Sequence, residues 1–166
     1  DKQNKVTIAK TDNGSTVTAL SGATFVINGI MQGDTGTAAT DHSYDFGTVS
    51  SKDFTGSFIA EKTYTISETV PPDGYKVITT PFAVKMQNDG QLVFTETDST
   101  NPKIISSDFS NGTAATASGS TVTSTLTLPG TQIEVIITST LDTSVSPNRY
   151  TANTLTVRDE KNTFSI

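Results

Sequence analysis

Between Tyr64 and Lys76 the chain reads YTISETVPPDGYK. Tyr64, Ile66 and Glu68 alternate with Thr65 and Ser67, the two-residue period of a β-strand. Pro71, Pro72 and Gly74 then end the strand in a turn. Two of the three residues on the first face are apolar, so that face is the one expected to be buried. Glu68 shares it. A carboxylate sent to the core is costly unless it is paired. Either the strand leaves the core at Glu68, or the core holds a partner for it.

The same period recurs along the chain, and no helical periodicity of convincing length competes with it. Val6, Ile8 and Lys10 alternate in KVTIAK (residues 5–10), and a turn follows at Asp12-Asn13-Gly14. ATFVING (residues 23–29) is a second strand. Residues 31–53 are polar and glycine-bearing, with Phe46 and Val49 as expected anchors. SFIA (residues 57–60) is a short apolar piece. Residues 81–94 form a hairpin around Asn88-Asp89-Gly90. From Thr95 to about Ser120 the chain is polar and loop-like. Residues 120–141 resume as two strands about a turn at Pro129-Gly130, with Leu126, Leu128, Ile133, Val135 and Ile137 as packing residues. After a turn at residues 146–148, the last strand spans residues 154–161. Many short strands at regular spacing predict a β-sandwich or barrel.

Composition agrees. Apolar residues make up 33% and charged residues only 17%, while Ser and Thr fill roughly 30%. Low charge argues against solvated disorder, and β-branched Thr suits the outer faces of strands. The 166 residues are read as one domain with an insertion at about 97–148. A net charge of −6 offers no basic footprint for nucleic acid. No apolar run approaches the ~20 residues of a membrane-spanning helix. With no cysteine, disulfides and thiolate chemistry are excluded. The chain begins at Asp1 rather than Met, which reads as an excised mature fragment with its targeting signals elsewhere.

Glu68 has two counterparts. On the first strand Lys10 keeps the parity of Val6 and Ile8. On the last, Asp159 keeps the parity of Leu155 and Val157. Each alone reads as a strand end leaving the core, but one lysine and two carboxylates are complementary. A low-dielectric interior favours neutral forms: an amine, which is a nucleophile, and a carboxylic acid, which is a better electrophile than its anion. A second acid beside them can relay protons.

These pieces resemble a Cna-B-type domain, the prealbumin-like (SpaA-like) module of Gram-positive pilins and surface adhesins. VTIAKTDNG…LSGATFVI (residues 6–27) is similar to the family's first two strands, with Lys10 at the reactive lysine. YTISETVPPDGY (residues 64–75) is similar to its E-box, with Glu68 as the glutamate. LTVRD (residues 155–159) is similar to its last strand, with Asp159 at the acceptor position. The resemblance covers about two-thirds of the chain. It implies an all-β, Ig-like Greek-key sandwich with first and last strands adjacent. It also implies an autocatalytic isopeptide bond between Lys10 and Asp159, assisted by Glu68. The chain departs from the family twice. Most members carry Asn as acceptor, so Asp159 would expel water rather than ammonia; Asn162, the nearby amide, is out of phase. And the chain spends about 60 residues between Phe94 and Leu155, where the family needs a short connection. The excess is read as an extra strand pair inserted before the last strand.

Other signals are weaker. LPGTQ (residues 128–132) lacks the final glycine of a sortase signal and reads as a hairpin turn. Asn101-Pro102-Lys103 faintly resembles a pilin-motif lysine. His42 lies among Asp41 and Asp45, more a solvated loop than a metal site. Two glycosylation sequons, at Asn13 and Asn111, are expected by chance in so Thr-rich a chain. No hydrolase or phosphate-loop pattern stands out. No metal and no cofactor is expected, and no enzyme activity beyond a single self-modification.

The leading expectation is a structural module of a pilin or adhesin stalk, extracellular and wall-anchored through parts of the parent protein outside this fragment. Its partners would be neighbouring domains or subunits. The alternative is a ligand-binding adhesin domain whose insertion contacts a host protein or glycan. A third class, a carbohydrate-binding accessory module, is disfavoured by the absence of Trp and 7% aromatic content. A Thr-covered insertion would favour the stalk, and an exposed apolar patch would favour binding.

Overall fold

A computed structural model describes residues 5–77, 81–96, 104–106, 109–110, 113–114, 116–118, 121–127, 133–142, 144 and 149–161. Described strands are β1 (Lys5–Asp12), β2 (Thr24–Gly29), β3 (Thr40–Asp45), β4 (Ser51–Thr55), β5 (Thr63–Val70), β6 (Phe82–Met86) and β7 (Leu92–Glu96). Short strands β8 (Ile104–Ser106), β9 (Phe109–Ser110), β10 (Thr113–Ala114) and β11 (Thr116–Ser118) follow. Then come β12 (Thr121–Thr127), β13 (Glu134–Asp142) and β14 (Arg149–Asp159). They form two sheets. One runs β11-β12-β13-β14-β1-β4, the other β10-β9-β8-β7-β6-β5-β2-β3.

The sheets pack face to face as a β-sandwich, because each core strand keeps one apolar side. Val6, Ile8, Val135, Ile137, Leu155 and Val157 come from the first sheet. Phe25, Ile27, Tyr64, Ile66, Phe82, Val84 and Phe94 come from the second, and all belong to one buried cluster. Tyr64 is buried with its polar end satisfied: its hydroxyl donates to the Ile30 carbonyl (2.7 Å) and accepts from the Ile59 amide (2.8 Å). Gly29 lies against this ring, where a Cβ would fall 2.4 Å from Tyr64 Cδ1.

First and last strands are adjacent, as expected, and parallel. Lys5–Asp12 runs beside Ala152–Asp159 in unbroken register. The inserted strand pair is also present: β12 and β13 are antiparallel, β13 pairs with β14, and the pair extends the first sheet beyond β14. Ile133, Val135 and Ile137 are buried there. Residues 128–132, with the Pro129-Gly130 turn, lie outside the described residues. A buried polar set ties this extension to the opposite sheet. Asn153 Nδ2 donates to the Gly90 carbonyl at the β6–β7 turn (2.8 Å), and Ser139 on β13 donates to Asn153 Oδ1 (2.5 Å).

Three expectations need correction. Val49 is no anchor, being 52% exposed, while Phe46 is buried. Residues 31–53 contain two strands, β3 and β4, each a sheet edge whose single buried or half-buried side leaves little apolar alternation to read. And the polar stretch from Thr95 holds short strands β8–β11, while β14 begins at Arg149, five residues before the expected start.

Candidate functional site

Lys10, Glu68 and Asp159 meet in the core. On β1 the buried positions are Val6, Ile8, Lys10 and Asp12; on β5 they are Tyr64, Ile66 and Glu68; on β14 they include Leu155, Val157 and Asp159. The strand period alone therefore turns all three charged side chains inward. β1 and β14 are neighbours in one sheet, with Lys10 opposite Val157 and Asp159 two residues further along. β5 faces them from the other sheet, where Glu68 pairs with Phe25 on β2.

Lys10 Nζ lies 2.5 Å from Glu68 Oε1 and 2.8 Å from Asp159 Oδ2. Lys10 and Asp159 are fully buried and Glu68 is 4% exposed. Both contacts have the length of a charge-assisted hydrogen bond. The Phe25 ring lies beneath, 5.6 Å from Nζ to the centroid, and keeps that side dry. Burial pushes the Asp159 carboxyl up to about 6, against the opposing pull of Lys10. The cause is desolvation of the anion.

The backbone around the lysine is fixed. The Lys10 amide donates to the Ser50 carbonyl (2.9 Å), and its carbonyl accepts from the Leu20 amide (3.0 Å). Reading by residue type passed over Asp12, the next inward position on β1. Its Oδ1 accepts from the amides of Thr18 (2.8 Å) and Gly14 (3.3 Å), so it organises the β1–β2 loop. The Thr18 hydrogen bond chiefly holds its carboxyl below the usual range. The signal was available, since Asp12 shares the parity of Lys10 and precedes an Asn-Gly turn.

His42 is not engaged with Asp41 or Asp45. Its Nε2 contacts Asp34 Oδ1 (3.0 Å) and its Nδ1 faces the Ile27 carbonyl (3.1 Å). Lys103 and Asn162 lie outside the described residues. Among the described residues no group of three His, Asp or Glu side chains is arranged to hold a metal.

A two-sheet sandwich with a buried Lys–Glu–Asp cluster, built on a Tyr-x-Ile-x-Glu strand and its Pro-Gly turn, defines a prealbumin-like module. The chain belongs to the SpaA prealbumin-like fold domain family, whose model matches residues 4–101. That range holds Lys10 and Glu68; the strand carrying Asp159 lies beyond it. Solved structures similar to the chain include the C-terminal fragment of pilus adhesin SpaC from Lactobacillus rhamnosus GG. It has 17% identity and a TM-score of 0.47, over 99% of this chain and 47% of that one. SpaC in its open conformation gives 16% identity and a TM-score of 0.48, over 99% of this chain and 15% of that one. The pilus adhesin RrgA from Streptococcus pneumoniae gives 18% and 0.39, over 84% and 20%. The chain thus spans less than half the length of each. No curated protein matches the sequence.

Proposed function

We propose that the domain is a load-bearing module of a Gram-positive pilus or surface adhesin, held by a Lys10–Asp159 isopeptide bond that forms once, on folding. The observation that carries this is the dry convergence of one amine and two carboxyls at 2.5 and 2.8 Å. A resting ion triad explains the site poorly. Burying three charges costs several kcal/mol each, one amine cannot neutralise two carboxylates, and burial already raises the Asp159 carboxyl.

With Lys10 as the free amine, Asp159 as the carboxylic acid and Glu68 as the ionised proton acceptor, Lys10 Nζ attacks Asp159 Cγ. The N–C bond forms, and Glu68 takes the proton released by nitrogen. Glu68 returns that proton to the departing hydroxyl, the C–O bond breaks, and one water leaves. Glu68 ends as it began, beside the new amide. Folding supplies the catalysis by desolvating the groups and fixing the attack distance. This is one turnover on the chain itself, not an enzyme acting on a substrate.

The topology gives the bond a use. β1 and β14 are parallel, so a pull on the chain ends enters along β1, crosses the bond and leaves after Asp159. Residues 11–158 are bypassed. The outer face of the insertion favours the stalk over the ligand-binding reading. Thr121, Thr123, Thr125, Thr138 and Thr140 point away from the core there, alongside Thr154 and Thr156 of β14. Such a module belongs outside the cell, in line with neighbouring modules of the same surface protein.

Single-molecule pulling tests this. The wild type is expected to show no unfolding step of the length of the bypassed loop. Glu68→Gln is expected to release it: 149 residues (159 minus 10), about 500 Å of chain. A wild type that extends by that length has no bond.

A further inference from the structure

The bond needs Asp159 held still at the end of its strand. Its register with β1 stops at the Asp12–Asp159 pair, where a strand would ordinarily fray. Instead, the residues immediately after it are gripped. The Lys76 amide donates to the Glu160 carbonyl (3.0 Å), Lys76 Nζ donates to Glu160 Oε1 (2.6 Å), and Tyr75 bridges to Lys161. The gripping segment is the turn that ends β5. The Tyr75 amide closes it on the Pro72 carbonyl (3.1 Å), and Gly74 takes a φ of +84° that favours glycine.

Resting on the isopeptide reading above, we propose that Lys76 and Glu160 are positioning residues for bond formation. They latch the acceptor strand onto the segment that carries the proton relay. Glu68 and Lys76 are eight residues apart on one strand and turn, and Asp159 and Glu160 are consecutive. A single two-point grip therefore sets Asp159 Cγ relative to both Glu68 and Lys10. The pair is placed for this rather than for stability. The Lys76 side chain is 43% exposed and that of Glu160 17%, and a partly exposed ion pair adds little to folding. A displacement of the acceptor by a fraction of an ångström, by contrast, weighs heavily on the rate of a proximity-driven reaction.

The test follows the full chain made by cell-free synthesis, quenched at intervals in acidic denaturant and read by intact mass. Far-UV circular dichroism follows refolding of each purified variant in parallel, without the quench. Lys76→Met and Glu160→Gln are expected to fold at the wild-type rate and to lose their water about tenfold more slowly. The swapped pair, Lys76→Glu with Glu160→Lys, is expected to recover the wild-type rate. Lys85→Met, which breaks the half-exposed Lys85–Glu61 pair (2.8 Å) elsewhere, is expected to change nothing. Unchanged mass kinetics in Lys76→Met and Glu160→Gln overturns the latch. So does a slowing that tracks slower folding, or a swapped pair that stays slow. A wild type that never loses water overturns the isopeptide reading itself, a separate outcome.

Discussion

Replacing Glu68 by Gln keeps the shape of the side chain and leaves Lys10 and Asp159 in contact at 2.8 Å, but removes the group that moves protons. The substitution removes the cross-link, and with it the constraint on the unfolded chain. The loop closed by that link has 149 residues (159 minus 10). Treated like a disulfide loop of that length, it lowers the entropy of the unfolded chain by an amount worth about 5 kcal/mol. For a chain of this size that corresponds to a fall in Tm of about 10–20 °C. Two assays on one preparation check this. Intact mass should show wild type one water below its sequence mass and Glu68→Gln at its own full sequence mass. Thermal unfolding by circular dichroism should show the drop. A Gln variant that still loses water would remove Glu68 from the mechanism. A variant at full mass with unchanged Tm would refute the loop argument.

Other expectations follow from single sites. Ile137→Ala, on the inserted strand β13 and fully buried, should cost about 2–5 kcal/mol in urea unfolding; a cost near zero would detach the insertion from the core. Gly29→Ala should cost about 1–3 kcal/mol, because the new methyl meets the Tyr64 ring at 2.4 Å. Burial, the largest influence on Asp159, raises its pKa from 3.8 to about 6 beside Glu68. In the uncross-linked Glu68→Gln chain the burial stays and the smaller repulsion from Glu68 goes, so Asp159 still binds its proton more tightly folded than unfolded. Its favourable contribution is complete below about pH 4 and is lost as pH rises through the raised folded value. Adding Asp159→Asn should become progressively more stabilising over that window, by up to about 3 kcal/mol; a gap independent of pH would contradict the desolvated carboxyl. The Asp34 contact chiefly raises the pKa of His42 above 6.5. The stability it gives is full below 6.5 and lost as pH rises through the folded value, so Asp34→Asn should destabilise more at pH 5.5 than at pH 8, by comparative urea melts.

The site was legible because parity is strict in a strand. Lys10, Glu68 and Asp159 could be placed on core faces from their neighbours alone, and complementary charge made them a set. The latch was not legible. Lys76 and Glu160 lie 84 residues apart, outside any alternation, and nothing local marks two surface-type charges as partners. Strands β3 and β4 were missed for a related reason. An edge strand with one half-buried side carries too few apolar residues to show a period, and Val49 was mistaken for an anchor because a lone valine in a loop has no phase.

What the sequence by itself determined is the local alternation: which side of each strand is apolar, where turns interrupt it, and which charged residues are carried inward. That follows from the two-residue pleat, which needs no tertiary contact to operate. Adjacency of the first and last strands and an inserted strand pair were expected from the resemblance; only the tertiary structure decided that β1 and β14 run parallel, that β5 faces them from the other sheet, and that β12 and β13 join the first sheet beside β14. Strand order and direction are long-range choices, fixed by which apolar faces close one core together and by buried ties such as Asn153 to Gly90. The distances at Lys10 Nζ, on which the chemistry depends, arise only after that closure.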